Sequence, residues 1–269
     1  MHRIRFVNEA CTGQQVFLTF ADPVPQQAIC VVAGTGSLEN LPRAVVGDGI
    51  DIRTSEDHQS EHLAQTSELM RWVGQADVPG SAPPVVITIH GANVIWGGSR
   101  AAIQAAPERL SQFLSAVVDF SYYETELRKL ERELAASWPS IEQDRPVAYQ
   151  VSEADPERFE EIGKRMDQAL QRRIRLARIV PHLHQPRPQL LPLANQLVDR
   201  LREKTHVEHR HEALASQLDV CDRMYEMISQ RISDHKSAQK SHALEWVIIV
   251  LLATETLLLL ADLLWNMGV

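Results

Sequence analysis

Apolar positions change rhythm along this chain. Through the first hundred residues they come in short β-branched runs, Gln15–Phe20, Gln27–Ala33, Pro84–Ile89 and Ala92–Trp96, set apart by Gly, Pro and Asp. Runs of that length and composition predict strands. The last two read PPVVITIHGANVIWGG and predict a hairpin over residues 84–98, turning on His90-Gly91 and closed by Gly97-Gly98. Between the strands, Asp48–Gln75 is acidic and polar and predicts a loop with one short helix.

After Gly98 the spacing becomes helical. Ser99 is placed to cap a helix over Arg100–Ala106, and a second run covers Pro107–Val118 with proline at its start. In YYETELRKLERELAASWP, Leu127, Leu130 and Leu134 form one apolar stripe, and Pro139 is expected to end the helix. Arg145–Val151 predicts another strand, and Asp155-Pro156 opens a helix over Glu157–Ile179. Pro181, Pro186, Pro188 and Pro192 then make an elbow. A long helix over Leu193–Lys236 follows. Its Leu214, Leu218, Cys221, Tyr225, Ile228 and Ile232 are spaced 4, 3, 4, 3, 4, the seam of a coiled coil. The seam is too short for a free-standing coiled coil. It is expected to pack on the Leu127–Leu134 helix or on the same helix of another copy.

The last rhythm is continuous. Trp246–Trp265 reads WVIIVLLATETLLLLADLLW, in which twelve residues are Leu, Ile or Val. Twenty residues at 1.5 Å each cross about 30 Å of hydrocarbon. The twelve contribute about −5 kcal/mol to insertion, and Glu255 at the centre opposes them by about 3 kcal/mol. A lone helix would therefore insert with a small margin. Arg231, Lys236 and Lys240 precede the segment and no Lys or Arg follows it, which orients the body to the cytoplasm. Trp246 and Trp265 bracket the run as interfacial anchors do. The alternative is a soluble oligomer whose terminal helices form a buried core. In either setting the Glu255 carboxyl needs a proton or a partner. Thr254 and Thr256 are placed to hydrogen-bond it, and self-association would bury it between copies.

Together these elements predict an α+β fold: a β-rich α+β domain over residues 1–120, a helical hairpin or bundle over 121–240, and a transmembrane helix over 244–265. Composition fits a folded domain with one span. Of the 269 residues, 44% are hydrophobic and 23% charged, and the net charge of −8 argues against a whole-surface nucleic-acid binder. Cys11, Cys30 and Cys221 are odd in number and far apart, which excludes a disulfide framework. The start, MHRIRFVNEA, lacks the pattern of a leader peptide.

Candidate chemistry is sparse. His206, His209 and His211, with His182 and His184 at the elbow, invite a metal reading in which Glu208 or Glu212 adds an oxygen; His206 and His209 would share a helical face. The spacing is not HExxH, and solvated positions on a helix explain these residues equally well. Ala33-Gly34-Thr35-Gly36 lacks the further signature of a phosphate loop and predicts a turn. Lys164, Arg165, Arg172, Arg173, Arg175 and Arg178 crowd one helix opposite Ile162, Met166, Leu170 and Ile174. They form either a solvated face or a surface for anionic lipid or RNA phosphate. Without interleaved aromatics, sequence-specific nucleic-acid recognition is not expected. Asp119 and Glu124, around Tyr122-Tyr123, read as helix-start charges. No catalytic residue, cofactor or metal site is expected.

The stretch LDVCDRMYEMISQRISDHKSAQKSHALEWVIIVLLATETLL, Leu218–Leu258, resembles the C-terminal signature of the "required for meiotic nuclear division" family. Leu244-Glu245-Trp246 with Glu255 carries the second block of that signature. ITIHGANVIWGG is similar to the family's hairpin and VDFSYYETELRKLE to its central helix entry, so the resemblance spans about Val85 to Leu264. The N-terminal third does not align, and His90 stands where the family more often has a bulkier residue. The resemblance implies a membrane-associated, homo-oligomeric protein without enzymatic activity, whose eukaryotic relatives support mitochondrial translation. For this chain it implies a bacterial-type member in the cytoplasmic membrane. A tethering scaffold for a protein or ribosomal partner follows as the expected function, with an enzyme or RNA-associated factor built on the N-terminal domain as the contrasting one.

Overall fold

The computed structural model describes residues 2–8, 16–32, 49–56, 62–75, 83–149 and 156–267. Among these residues seven strands form one sheet: β1 (His2–Val7), β2 (Val16–Phe20), β3 (Gln26–Val32), β4 (Gly49–Glu56), β5 (Val85–Ile89), β6 (Ala92–Trp96) and β7 (Arg100–Ala105). Their order is β2-β3-β1-β4-β7-β6-β5, antiparallel except for the parallel pair β4–β7. Among the described residues five α-helices accompany it: α1 (His62–Gly74), α2 (Pro107–Asp144), α3 (Pro156–His184), α4 (Pro192–Lys204) and α5 (Val207–Met267). The fold is α+β.

Strand residues alternate between two covered faces, because successive side chains of a strand point oppositely. Ile95 and Ala102 pack with Val86 under Leu69, Trp72 and Val73 of α1. Trp96 faces the other way: it meets the ring of Phe120 at 5.1 Å and donates its indole N–H to Ser121 Oγ at 2.9 Å, both on α2. Farther along, Phe20 stacks on Tyr122 at 3.9 Å, with Phe6 edge-on at 5.2 Å. The predicted hairpin forms. His90 (φ 47°) and Gly91 (φ 77°) both take left-handed backbone, as a two-residue turn between twisted strands requires. Gly97 also has a steric reason, since a Cβ there would lie 2.6 Å from a Val73 methyl.

Several expected elements differ. Arg100–Ala105 is strand β7, not a helix: Ala101, Ala102, Ile103 and Ala105 are buried between β4 and β6, and tertiary pairing outweighs the helix preference of alanine. Strands β1 and β4 were not expected. α2 is a single helix, and Pro139 lies inside it. The boundary expected near residue 120 therefore falls within a helix. Arg145–Ala148 is a 3₁₀ turn in place of the expected strand, with Pro146 supplying no donor to a ladder. Pro181 likewise sits inside α3, so the elbow reduces to residues 185–191.

The helix expected over Leu193–Lys236 is broken at Thr205-His206, where His206 (φ 52°) is left-handed and its N–H donates to Glu203 O. Beyond that break, α5 continues without interruption into the apolar segment. The chain divides into two compact units, residues 1–136 with 171–218, and residues 137–170 with 219–269.

Candidate functional site

α5 shows two kinds of surface. Leu214, Leu218, Cys221, Tyr225 and Ile228 are buried and Ile232 is half-buried, so the seam is satisfied within the chain. In the second unit Tyr225 Oη donates to Asp144 Oδ2 at 3.4 Å. From Leu244 to Leu259 every position is exposed; Trp246 is 67% and Leu258 72% accessible. The helix holds an 18-residue window of mean hydropathy 1.7, none of it buried, and it is long and apolar enough to cross a membrane.

Glu255 is exposed at the middle of this run and has no hydrogen-bond or ion-pair partner among the described residues. Thr254 and Thr256 do not reach it. Their hydroxyls donate to carbonyls of their own helix, Thr254 to Leu251 O at 2.7 Å and Thr256 to Ala253 O at 2.9 Å, which are the nearest acceptors in a helix. Trp265 lies on α5, and its side chain is outside the described residues, as are Cys11 and Ala33–Gly36.

No family model, no curated protein and no solved structure matches this chain.

The charged candidates have become clamps. Arg175 reaches Glu133 at 2.9 Å and Glu126 at 3.5 Å on α2. In the second unit Arg165 holds the buried Asp144 at 2.6 Å, and Lys164 pairs with Glu160 at 2.8 Å. Arg178 donates to Pro23 O at 3.4 Å, and Arg172 and Arg173 have interactions of their own. An anionic-surface role thus competes with α2 carboxylates already in place. Of the stripe opposite, Ile162 is buried and Met166 half-buried, whereas Leu170 and Ile174 are exposed and Ala169, Leu176 and Ile179 are buried in their place.

His206 sits in the break before α5, so it shares no helical face with His209. His184 Nδ1 lies 3.9 Å from Glu208, and its ring meets that of His211 edge-on at 5.2 Å. His184, His206, Glu208 and His209, with Arg202 and Glu203, border a cleft of about 900 Å³. Among the described residues no three His, Cys, Asp or Glu side chains are placed to hold one metal ion.

Asp119 and Glu124 belong to the interior of α2, not to a helix start, because α2 begins at Pro107. They serve separate partners. Glu124, buried, accepts from Arg128 and from Arg210 at 2.9 Å, and Arg210 also grips Glu131 at 2.7 Å, fixing α5 along α2 in the first unit. Asp119 takes both arms of Arg187, at 2.7 and 3.2 Å, and the guanidinium lies 4.5 Å over the Tyr123 ring. Asn195 secures the same elbow through the backbone N–H of Arg187 at 2.9 Å and its carbonyl at 3.0 Å. The signal available beforehand was acidic residues beside aromatic ones in DFSYYETEL, Asp119–Leu127.

Burial outweighs the attraction of Arg187 and Arg202, and pushes the Asp119 carboxyl up to about 6. Unfolded aspartate titrates near 3.9. Between those values the folded chain binds a proton that the unfolded chain does not, so this group's contribution to stability is full below about 3.9 and is lost as pH rises through about 6. Relative to Asp119→Asn, the wild type is expected to gain about 2 kcal/mol as pH falls from 7 to 4. Urea unfolding of both proteins across that range checks this, with carboxyl NMR locating the proton. A flat difference between the two would assign the burden elsewhere.

Proposed function

We propose that this chain is a non-catalytic scaffold anchored by its terminal helix in the cytoplasmic membrane, with its body on the cytoplasmic side, and that it self-associates and tethers a cytoplasmic partner. The single observation that carries the reading is the bare apolar stretch of α5. A sixteen-residue run from Leu244 to Leu259 with no protein covering it is stable only in lipid or in an assembly. Arg231, Lys236 and Lys240 before the run support the orientation. The resemblance of Leu218–Leu258 to the "required for meiotic nuclear division" family supports membrane association and a partner such as the translation machinery. Glu255 supports self-association, since a carboxyl alone among lipid tails gains from meeting its counterpart in a second copy.

The test is flotation with lipid vesicles after an alkaline carbonate wash. The intact chain is expected to rise with the vesicles, and a chain ending before Leu244 to stay below. Release of the intact chain by carbonate would favour the soluble oligomer with a buried core.

A further inference from the structure

Among the described residues, one edge of the sheet is open. There β5 pairs only with β6, and the two-residue turn at His90-Gly91 fixes which of its backbone groups are used. Beside such a turn Ile89 and Ala92 form the hydrogen-bonded pair, and Ile87–Val94 and Val85–Trp96 repeat it. The N–H and C=O groups of Val86 and Thr88 therefore point away from the sheet, and they have no partner among the described residues.

Edge strands are usually protected by an inward charge, a proline, a bulge or a covering element. VVITI has neither charge nor proline, and its register with β6 is unbroken. Alongside it runs a cleft of about 610 Å³ whose other wall is α4, joined at its end by His90 Nε2 and Gln196 Oε1 at 3.1 Å. That wall presents Asp199, Arg200 and Lys204. Asp199 is held by Arg202 at 2.8 Å and Arg200 by Glu203 at 2.9 Å, while Lys204 has no ion pair among the described residues. The wall thus offers a spare cation on a chain whose net charge is −8.

We propose that the β5 edge is a docking site for an extended, acidic peptide segment of a partner protein, which adds as an eighth strand with a carboxylate toward Lys204. Backbone bonds to Val86 and Thr88 supply affinity, and the cation supplies selectivity. Charge decides the occupant. A second copy pairing through its own β5 would bring VVITI, which has no carboxylate to answer Lys204. The site is on the body and does not depend on where α5 resides.

The test uses the full chain in detergent and three dye-labelled pentapeptides: Val-Glu-Val-Glu-Val, the same with lysine for glutamate, and the same with a central proline. Fluorescence anisotropy is expected to show the glutamate peptide binding at least fivefold more tightly than the lysine peptide, with the gap narrowing at high salt, and the proline peptide not binding. Lys204→Glu, an exposed change that leaves the fold intact, is expected to reverse the order of the first two. Thr88→Pro, checked for folding by circular dichroism, is expected to abolish binding of both. Absence of binding by the glutamate peptide, equal binding of all three, or an order indifferent to Lys204→Glu overturns the proposal. Self-association that Thr88→Pro removes, without peptide binding, also overturns it and assigns the edge to a second copy.

Discussion

Leu252→Arg is expected to detach the chain from vesicles that hold the wild type. Leu252 is 56% exposed, one turn before the centre of the apolar run. Arginine there costs roughly 2.5–3.5 kcal/mol and forfeits the ~0.5 kcal/mol that leucine contributed. The wild-type margin, about −5 from Leu, Ile and Val against about +3 for Glu255, is near −2 kcal/mol. The substitution therefore changes its sign, a shift of roughly 300-fold in partition. Glu255→Leu is expected to act in the opposite direction by a similar amount, and the double variant to return close to wild type. Flotation of the four proteins at one lipid concentration measures all of this. If the double variant remains in the supernatant, the helix was held by protein contacts and the lipid interpretation of its surface is lost.

What could be read beforehand follows from the range of the interactions involved. The hairpin at His90-Gly91 and the stripe Leu127, Leu130, Leu134 depend on neighbours a few residues away, and their patterns are in the sequence as written. The apolar run of Leu244–Leu259 was equally legible, because Leu, Ile and Val there fall on every side of a helix and only Glu245, Thr254, Glu255 and Thr256 interrupt them. β7 was not legible. RAAIQA favours a helix by propensity, and only its burial between β4, some fifty residues earlier, and β6 makes it a strand. The break at Thr205-His206 has no glycine or proline to announce it. Among site residues, the positions were recoverable but their partners were not. Arg210 meets Glu124 across 86 positions and Arg175 meets Glu133 across 42, distances at which a sequence shows only two charges. The six-cation run read as a solvated or anion-binding face for that reason, although α2 supplies carboxylates to Arg165 and Arg175.

The same blindness hid the most consequential pair in the sheet, and it gives the second large effect. HRIRFV alternates Ile4 and Phe6 with Arg3 and Arg5, and β1 lies third among seven strands, so one of those arginines enters the interior. Arg3 is only 7% exposed. It meets Asp51 of β4, 4% exposed, through two bonds of 2.7 and 2.9 Å. The carboxylate holds Arg3 firmly charged, raising its affinity for the proton against the opposing effect of burial. Both strands bring the residues there because His2–Ile52 and Arg3–Asp51 are in register. Arg3→Met leaves a carboxylate buried without its cation, and is expected to lower stability by about 3–5 kcal/mol. Asp51→Leu alone strands the guanidinium and is expected to cost a comparable amount. The double variant, Arg3→Met with Asp51→Leu, removes both charges and fills the same space with apolar atoms; it is expected to recover most of the loss, since desolvating an ion pair offsets much of its attraction. Urea denaturation of the four proteins, with equal slopes required across the set, measures the coupling. Additive losses in the double variant would mean that the two side chains act through separate neighbours, and the register of β1 on β4 would then rest on its other pairs, His2–Ile52, Ile4–Ile50 and Arg5–Gly49.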